Sequence, residues 1–101
     1  MTDDTIERKL EVLSTIGKAL AHPARVELLH LLEDGERCGC DLVPLLNLDP
    51  SVVSRHLAML ARAGLIVSKR AGVRIMWWLA TPDVARILSC LVRMRCQKES
   101  G

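Results

Sequence analysis

Apolar positions recur every three or four residues through the first half of the chain and every second residue further on. Ile6, Leu10, Leu13, Ile16 and Leu20 share one side of a helical wheel, which predicts an amphipathic helix over residues 4–20. His22-Pro23 breaks it, and Pro23 suits the first turn of a second helix bearing Val26, Leu28, Leu29, Leu31 and Leu32. Asp34-Gly35 ends that helix. After Cys38-Gly39-Cys40, Asp41 is predicted to cap a short third helix holding Leu42, Leu45 and Leu46. Asn47-Leu48-Asp49-Pro50 turns the chain. Asp49 or Ser51 then caps a fourth helix, its inner face formed by Val52, Val53, Leu57, Leu60 and Ala61 and its end marked by Ala63-Gly64.

The period then shortens. Leu65-Ile66-Val67 leads into Ser68-Lys69-Arg70-Ala71-Gly72, and Ile75, Trp77 and Leu79 alternate with Arg74, Met76 and Trp78. That pattern predicts a two-stranded hairpin with a basic tip. Thr81 caps a last helix that starts at Pro82 and carries Val84, Ile87, Leu88 and Leu91; the polar tail from Gln97 to Gly101 is expected to fray. The order ααααββα predicts a mainly α fold with a two-stranded β-hairpin wing, a winged helix-turn-helix filling residues 1–101 as one domain. A core this small leaves the apolar faces of the first and last helices in need of cover. The expectation is a homodimer built from residues 5–20 and 82–96.

Charge adds a direction to this outline. Residues 1–49 carry five Lys/Arg and ten Asp/Glu, whereas residues 50–82 carry Arg55, Arg62, Lys69, Arg70 and Arg74 and no acid. One continuous basic segment suits a polyanionic partner. The chain has no Phe, no Tyr and two Trp, too few stacking platforms for a single-strand binder. The apolar runs are too short for a membrane span, and the acidic start lacks the apolar core of a signal peptide, so a cytoplasmic protein is expected. In that compartment four cysteines read as thiols or ligands rather than as a disulfide framework.

A recognition helix presents short polar or basic side chains near its N-terminus, where they reach base edges. Ser51, Ser54, Arg55 and His56 occupy those turns, with Arg55 the best suited to a guanine or phosphate contact and His56 equally readable as a packed structural ring. Lys69, Arg70 and Arg74 flank the hairpin turn, placed to reach the adjacent minor groove or its phosphates.

The pieces HPARVELLHLL, ERCGCDL, SVVSRHLAMLARAGLI and SKRAGVRIMWWL, all between residues 16 and 80, resemble the ArsR/SmtB family of metal- and metalloid-responsive repressors. The resemblance implies a homodimeric repressor on double-stranded operator DNA, an inverted repeat, with the fourth helix in the major groove.

The cysteines carry the sharper chemistry. Cys38 and Cys40 lie at the mouth of a helix, where the thiolate is favoured, and Gly39 lets both sulfurs point one way. Soft thiolates select arsenic(III), antimony(III), Cd(II), Hg(II) or Cu(I) over hard ions. The ERCGCDL box resembles the family's E-L-C-V-C-D-L-C metalloid site, which implies arsenic(III) or antimony(III) as effector. Val43 stands where that site has its third cysteine, so either water or a small thiol completes a dithiol site or Cys90 or Cys96 is delivered in the fold. Those two are six residues apart, roughly 9 Å along a helix, too far to clasp one ion within one chain. Cys90 follows the stripe of Ile87 and Leu91 and is expected at the dimer interface. The family's other site, on the last helix, starts at a position matched by Asp83. Ala85 replaces its first His, while Cys96 and Glu99 fall at its later positions, so no Zn(II) site is expected. His22 reads as a boundary residue and His30 as a polar-face one.

Two other functions compete with the metalloid sensor. A disulfide or persulfide switch ranks lower, because a C-x-C disulfide is geometrically strained. An enzyme of thiol exchange is rejected: there is no C-x-x-C, no βαβ pattern and no Ser, His and Asp constellation.

Overall fold

The computed structural model describes the backbone of residues 2–100 and the side chains of residues 5–96. Helices α1 (Thr2–Leu20), α2 (Pro23–Leu31), α3 (Gly39–Leu46), α4 (Pro50–Arg62) and α5 (Asp83–Ser100) and strands β1 (Arg37–Cys38), β2 (Ile66–Ala71) and β3 (Arg74–Leu79) follow in the order α1-α2-β1-α3-α4-β2-β3-α5. A 3-10 turn at Leu32–Asp34 prolongs α2, and Gly35 ends it at a φ of 135°. The fold is the winged helix-turn-helix the apolar pattern predicts, with two departures.

The first is β1. The wing is not a free hairpin: it belongs to a three-stranded antiparallel sheet ordered β1-β3-β2. Arg37 pairs with Trp77 and Cys38 with Met76. A two-residue strand is too short to show alternation, so it left no mark in the sequence pattern. The second concerns caps. Asp41 does not cap α3; it sits inside the first turn, and Cys38 is the N-cap, its sulfur accepting from the Cys40 N–H at 3.3 Å. β1 runs straight into the helix and leaves no residue between for a carboxylate cap.

The remaining boundaries follow from local chemistry. Asn47 takes a left-handed φ of 55° and its N–H donates to the Val43 carbonyl, which closes α3 and turns the chain towards α4. Asp49 is the N-cap of α4 by position, with Pro50 next and no side-chain capping bond. Thr81 Oγ1 accepts from the Asp83 N–H at 3.2 Å and caps α5. That helix continues to Ser100, so its backbone is helical where fraying was expected. The side chains of the tail, Glu99 included, lie outside the described residues.

The core lies where α2, α3, α4 and the root of the sheet meet. Leu28, Leu29, Leu42, Leu60 and Ile66 are essentially solvent-free there, with Val53, Leu57 and Leu32 beside them. Each such side chain contributes roughly 1.5–3 kcal/mol over an exposed one. No helix among the described residues is long and apolar enough to cross a membrane.

Candidate functional site

The recognition helix is built by one periodicity. Val53, His56, Leu57 and Leu60 are the buried residues of α4, at spacings of three, one and three. That leaves Ser51, Ser54 and Arg55 exposed on its other side, early in the helix. Ser51 Oγ lies 3.4 Å from Asp49 Oδ2. In the wing, Gly72 takes a φ of 65° at the turn between the paired residues Ala71 and Arg74. Lys69, Arg70 and Arg74 are all exposed.

His56 departs from the outward placement considered for it. Its ring is 9% exposed and faces α2. Arg25 Nε donates to His56 Nδ1 at 3.2 Å, and the His22 ring lies 4.4 Å from it, centroid to centroid. Arg25 also donates to the Lys18 carbonyl at 2.9 Å, so this knot ties the end of α1 and the start of α2 to α4. Burial, then the neighbouring His22, Arg25 and Arg55, hold the His56 pKa below its ordinary value. A neutral ring is also what the Arg25 bond requires, since Nδ1 must accept. His22 doubles as the N-cap of α2, Nδ1 accepting from the Ala24 N–H at 3.1 Å. His30 faces outward beside Glu33, at 3.5 Å. The signal for His56 was in the sequence: it sits three residues from Val53 and four from Leu60, on the buried stripe.

Cys38 and Cys40, read from the sequence as thiols, are paired as a disulfide in this structure, their Cα atoms 5.2 Å apart, so the two-thiol site is that of the reduced chain. Cys38 is 2% exposed and Cys40 is exposed, so the pair joins the interior to the surface. The Cys40 N–H donates to the Cys38 sulfur at the start of α3. Between them Gly39 lies beneath Trp77: a Cβ added to it would meet Trp77 Nε1 at 3.4 Å and Leu57 at 3.9 Å. Trp77 over Gly39 and the β1–β3 pairing are the features of this candidate site that the sequence pattern did not reveal.

The pair opens into a cleft of about 680 Å³ between α3, α4 and the wing, which Ser54 and Arg74 also line. On the other side of Cys38 is a polar pocket of about 210 Å³ lined by Asp34, Glu36, Arg37 and Asp41. The donor set fits a soft, thiophilic ion through two sulfurs. Among the described residues no three His, Cys, Asp or Glu side chains gather to hold a metal ion. Cys90 and Cys96, considered as third ligands, therefore do not complete the pair within one chain; both lie exposed on α5.

A wing beside a helix with an exposed polar start defines the class of winged helix-turn-helix nucleic-acid-binding regulators. The family model "Bacterial regulatory protein, arsR family" matches residues 22–68. The HTH-type transcriptional regulator CmtR of Mycobacterium tuberculosis is 37% identical over 90 residues, 89% of this chain and 76% of that one. The arsenical resistance operon repressor of Staphylococcus xylosus is 37% identical over 67 residues, 66% of this chain and 64% of that one. The match spans 64% and 60% of two further mycobacterial regulators. The solution structure of the homodimeric winged helix-turn-helix DNA-binding domain Mb0332 from Mycobacterium bovis superposes with a TM-score of 0.83 at 30% identity. It covers 95% of this chain and 88% of that one. The chain belongs to the ArsR family of bacterial transcriptional regulators.

Proposed function

We propose that this chain is a cytoplasmic homodimeric repressor that holds an inverted-repeat operator through α4 and the wing and releases it when arsenic(III) or antimony(III) binds Cys38 and Cys40. The observation that carries the reading is the position of Cys38. One residue is at once the N-cap of α3, which precedes the recognition helix, and the partner of Met76 in the wing. Drawing both sulfurs around one ion reorients the start of α3 and the β1–β3 ladder together, and both DNA-contacting elements hang on those two. Val43 in place of a third cysteine makes the site a two-thiol one.

For DNA, Ser51, Ser54 and Arg55 offer base and phosphate contacts from α4, and Lys69, Arg70 and Arg74 offer phosphate contacts from the wing. The dimer is supported by the terminal helices. Ile6, Leu10 and Leu13 on α1, and Ile87, Leu91 and Val92 on α5, stand about half or more exposed in the single chain. Cys90 sits on the same helix, in the region given to the interface. The Mb0332 domain, similar over nearly all of this chain, is homodimeric and binds DNA.

A second reading uses the same two residues. Their sulfurs touch, which supports thiol redox chemistry as the trigger. Both readings predict that Cys38→Ser and Cys40→Ser keep the operator under inducing conditions. They differ in the inducer: arsenite or antimonite added to the fully reduced protein releases DNA only under the first, and an oxidant without metalloid only under the second.

A further inference from the structure

Apolar packing holds α4 against the body of the domain without fixing how the helix is turned. Val53, Leu57 and Leu60 are buried on its inner side, and the burial of hydrocarbon has no direction. Direction comes from His56 on the same side. Its Nδ1 accepts from Arg25 Nε at 3.2 Å, and Arg25 Nη1 donates to the Lys18 carbonyl at 2.9 Å. One planar guanidinium thus spans the last turns of α1, the start of α2 and the middle of α4. Ser54 and Arg55 immediately precede His56, and Ser51 lies one turn earlier. The angle at which His56 is held therefore sets where all three side chains point.

This tie works in one protonation state. Arg25 keeps its charge, and both ring nitrogens of a protonated histidine are donors, so a proton on His56 sets donor against donor at Nδ1. Burial opposes that proton, and so do His22 and Arg25 from α2 and Arg55 from α4 itself. From α1 the knot meets the Lys18 backbone carbonyl, which Arg25 takes up. We infer that Arg25 and His56 are positioning residues for DNA recognition, a clasp that sets the angle of α4 while His56 is neutral and releases it when the ring takes up a proton. The inference rests on the operator-binding part of the proposed function and not on the thiols. Its sign is distinctive: added positive charge ordinarily strengthens attraction to a polyanion, whereas the clasp makes acid weaken operator binding.

The test uses the reduced full-length chain and a fluorescein-labelled duplex of the inverted repeat that the protein selects from random-sequence DNA. Anisotropy titrations at constant ionic strength should show binding about threefold weaker at pH 5 than at pH 7.5, with the circular dichroism of the free protein unchanged. His56→Asn keeps an acceptor near the place of Nδ1 that does not titrate, and should abolish the drop. His22→Asn, which keeps a side-chain cap on α2, should retain it. Arg25→Met keeps the stem and loses the donors. It should weaken binding about tenfold at pH 7.5, flatten the pH profile and leave the slope of log affinity against log salt unchanged. Linkage asks the same of the proton: in an NMR titration of the wild type, the duplex should lower the His56 pKa by about 1, where a polyanion acting by charge alone would raise it. The inference is overturned by wild-type binding that holds constant or tightens towards pH 5, or by a His56 pKa that the duplex raises or leaves unmoved. A drop that survives in His56→Asn or vanishes in His22→Asn overturns it as well, as does a salt slope reduced by about 1 in Arg25→Met, which would make Arg25 a phosphate contact. All of these leave the repressor reading standing. If the selection yields no inverted repeat, the operator-binding reading falls and the inference falls with it.

Discussion

The helix-turn-helix and the terminal helices carry the same kind of apolar stripe and meet opposite fates. In α2, α3 and α4 each stripe has a solvent-free centre, with Leu29, Leu42 and Leu60 showing none of their surface, while Val26 and Leu45 at the stripe edges stay 40% and 51% exposed. In α1 and α5, Leu10 is 62% exposed and Leu91 49%, at equally regular spacing. Periodicity states that a face is to be buried and says nothing of the partner. The first group finds its partners inside the chain, and the second, on our reading, finds them in a second copy.

Substitution separates the two groups. Leu60→Ala should cost about 2–5 kcal/mol of stability in a urea melt, because the cavity sits among neighbours that cannot all move in. Leu10→Glu combined with Leu91→Glu should leave the helical content intact and convert the protein to a monomer in sedimentation at micromolar concentration. A double variant that stays dimeric would place the interface elsewhere.

On the proposed function, the DNA surface divides in the same way, into a part that selects and a part that holds. Arg55→Ala on α4 should lose about 1–3 kcal/mol of discrimination between operator and scrambled DNA. Arg70→Ala or Arg74→Ala should weaken binding to every sequence alike and reduce the slope of log affinity against log salt by about 1. An Arg55 variant that weakens both DNAs equally would make α4 a backbone clamp and leave base reading to other residues.

The smallest expected effect lies at the seam between α2 and α4. The His56 pKa is lowered in the fold, so the unfolded chain binds the proton more readily. The stabilisation is present above the unfolded value of about 6.5 and is lost as the pH falls from there through the lower folded value. Urea midpoints should therefore drop between pH 7.5 and pH 5, and His56→Gln should flatten that drop. An unchanged slope in the variant would assign the acid sensitivity to other groups.

How far the sequence could be read follows the same division between what periodicity states and what contacts decide. The five helices and the wing were legible because each has a stripe, a breaker or a cap of familiar type: Pro23, Gly64, Thr81-Pro82. β1 was not, because Arg37-Cys38 is a strand only by virtue of β3 beside it. Asp41 has the side chain that usually caps a helix, but the strand-to-helix junction gives the cap of α3 to the Cys38 sulfur. His56 was legible by spacing and obscured by residue type. The thiol pair itself was readable as C-x-C. Its connection to the wing and to Trp77 was not, since both depend on a register that links residues nearly forty positions apart.

On the proposed function, Cys38 and Cys40 are thermodynamically coupled to the DNA surface. The most direct test measures operator affinity with and without arsenite, and arsenite affinity with and without operator, in the reduced wild type and in Cys38→Ser, Cys40→Ser and Cys96→Ser. Arsenite should weaken operator binding of the wild type, and operator should weaken arsenite binding, by one common factor corresponding to about 1–3 kcal/mol. Cys38→Ser and Cys40→Ser should hold DNA regardless of arsenite, with Cys96→Ser responding nearly as the wild type does. Release of Cys38→Ser and Cys40→Ser by arsenite at wild-type concentrations, or loss of response in Cys96→Ser alone, would contradict it.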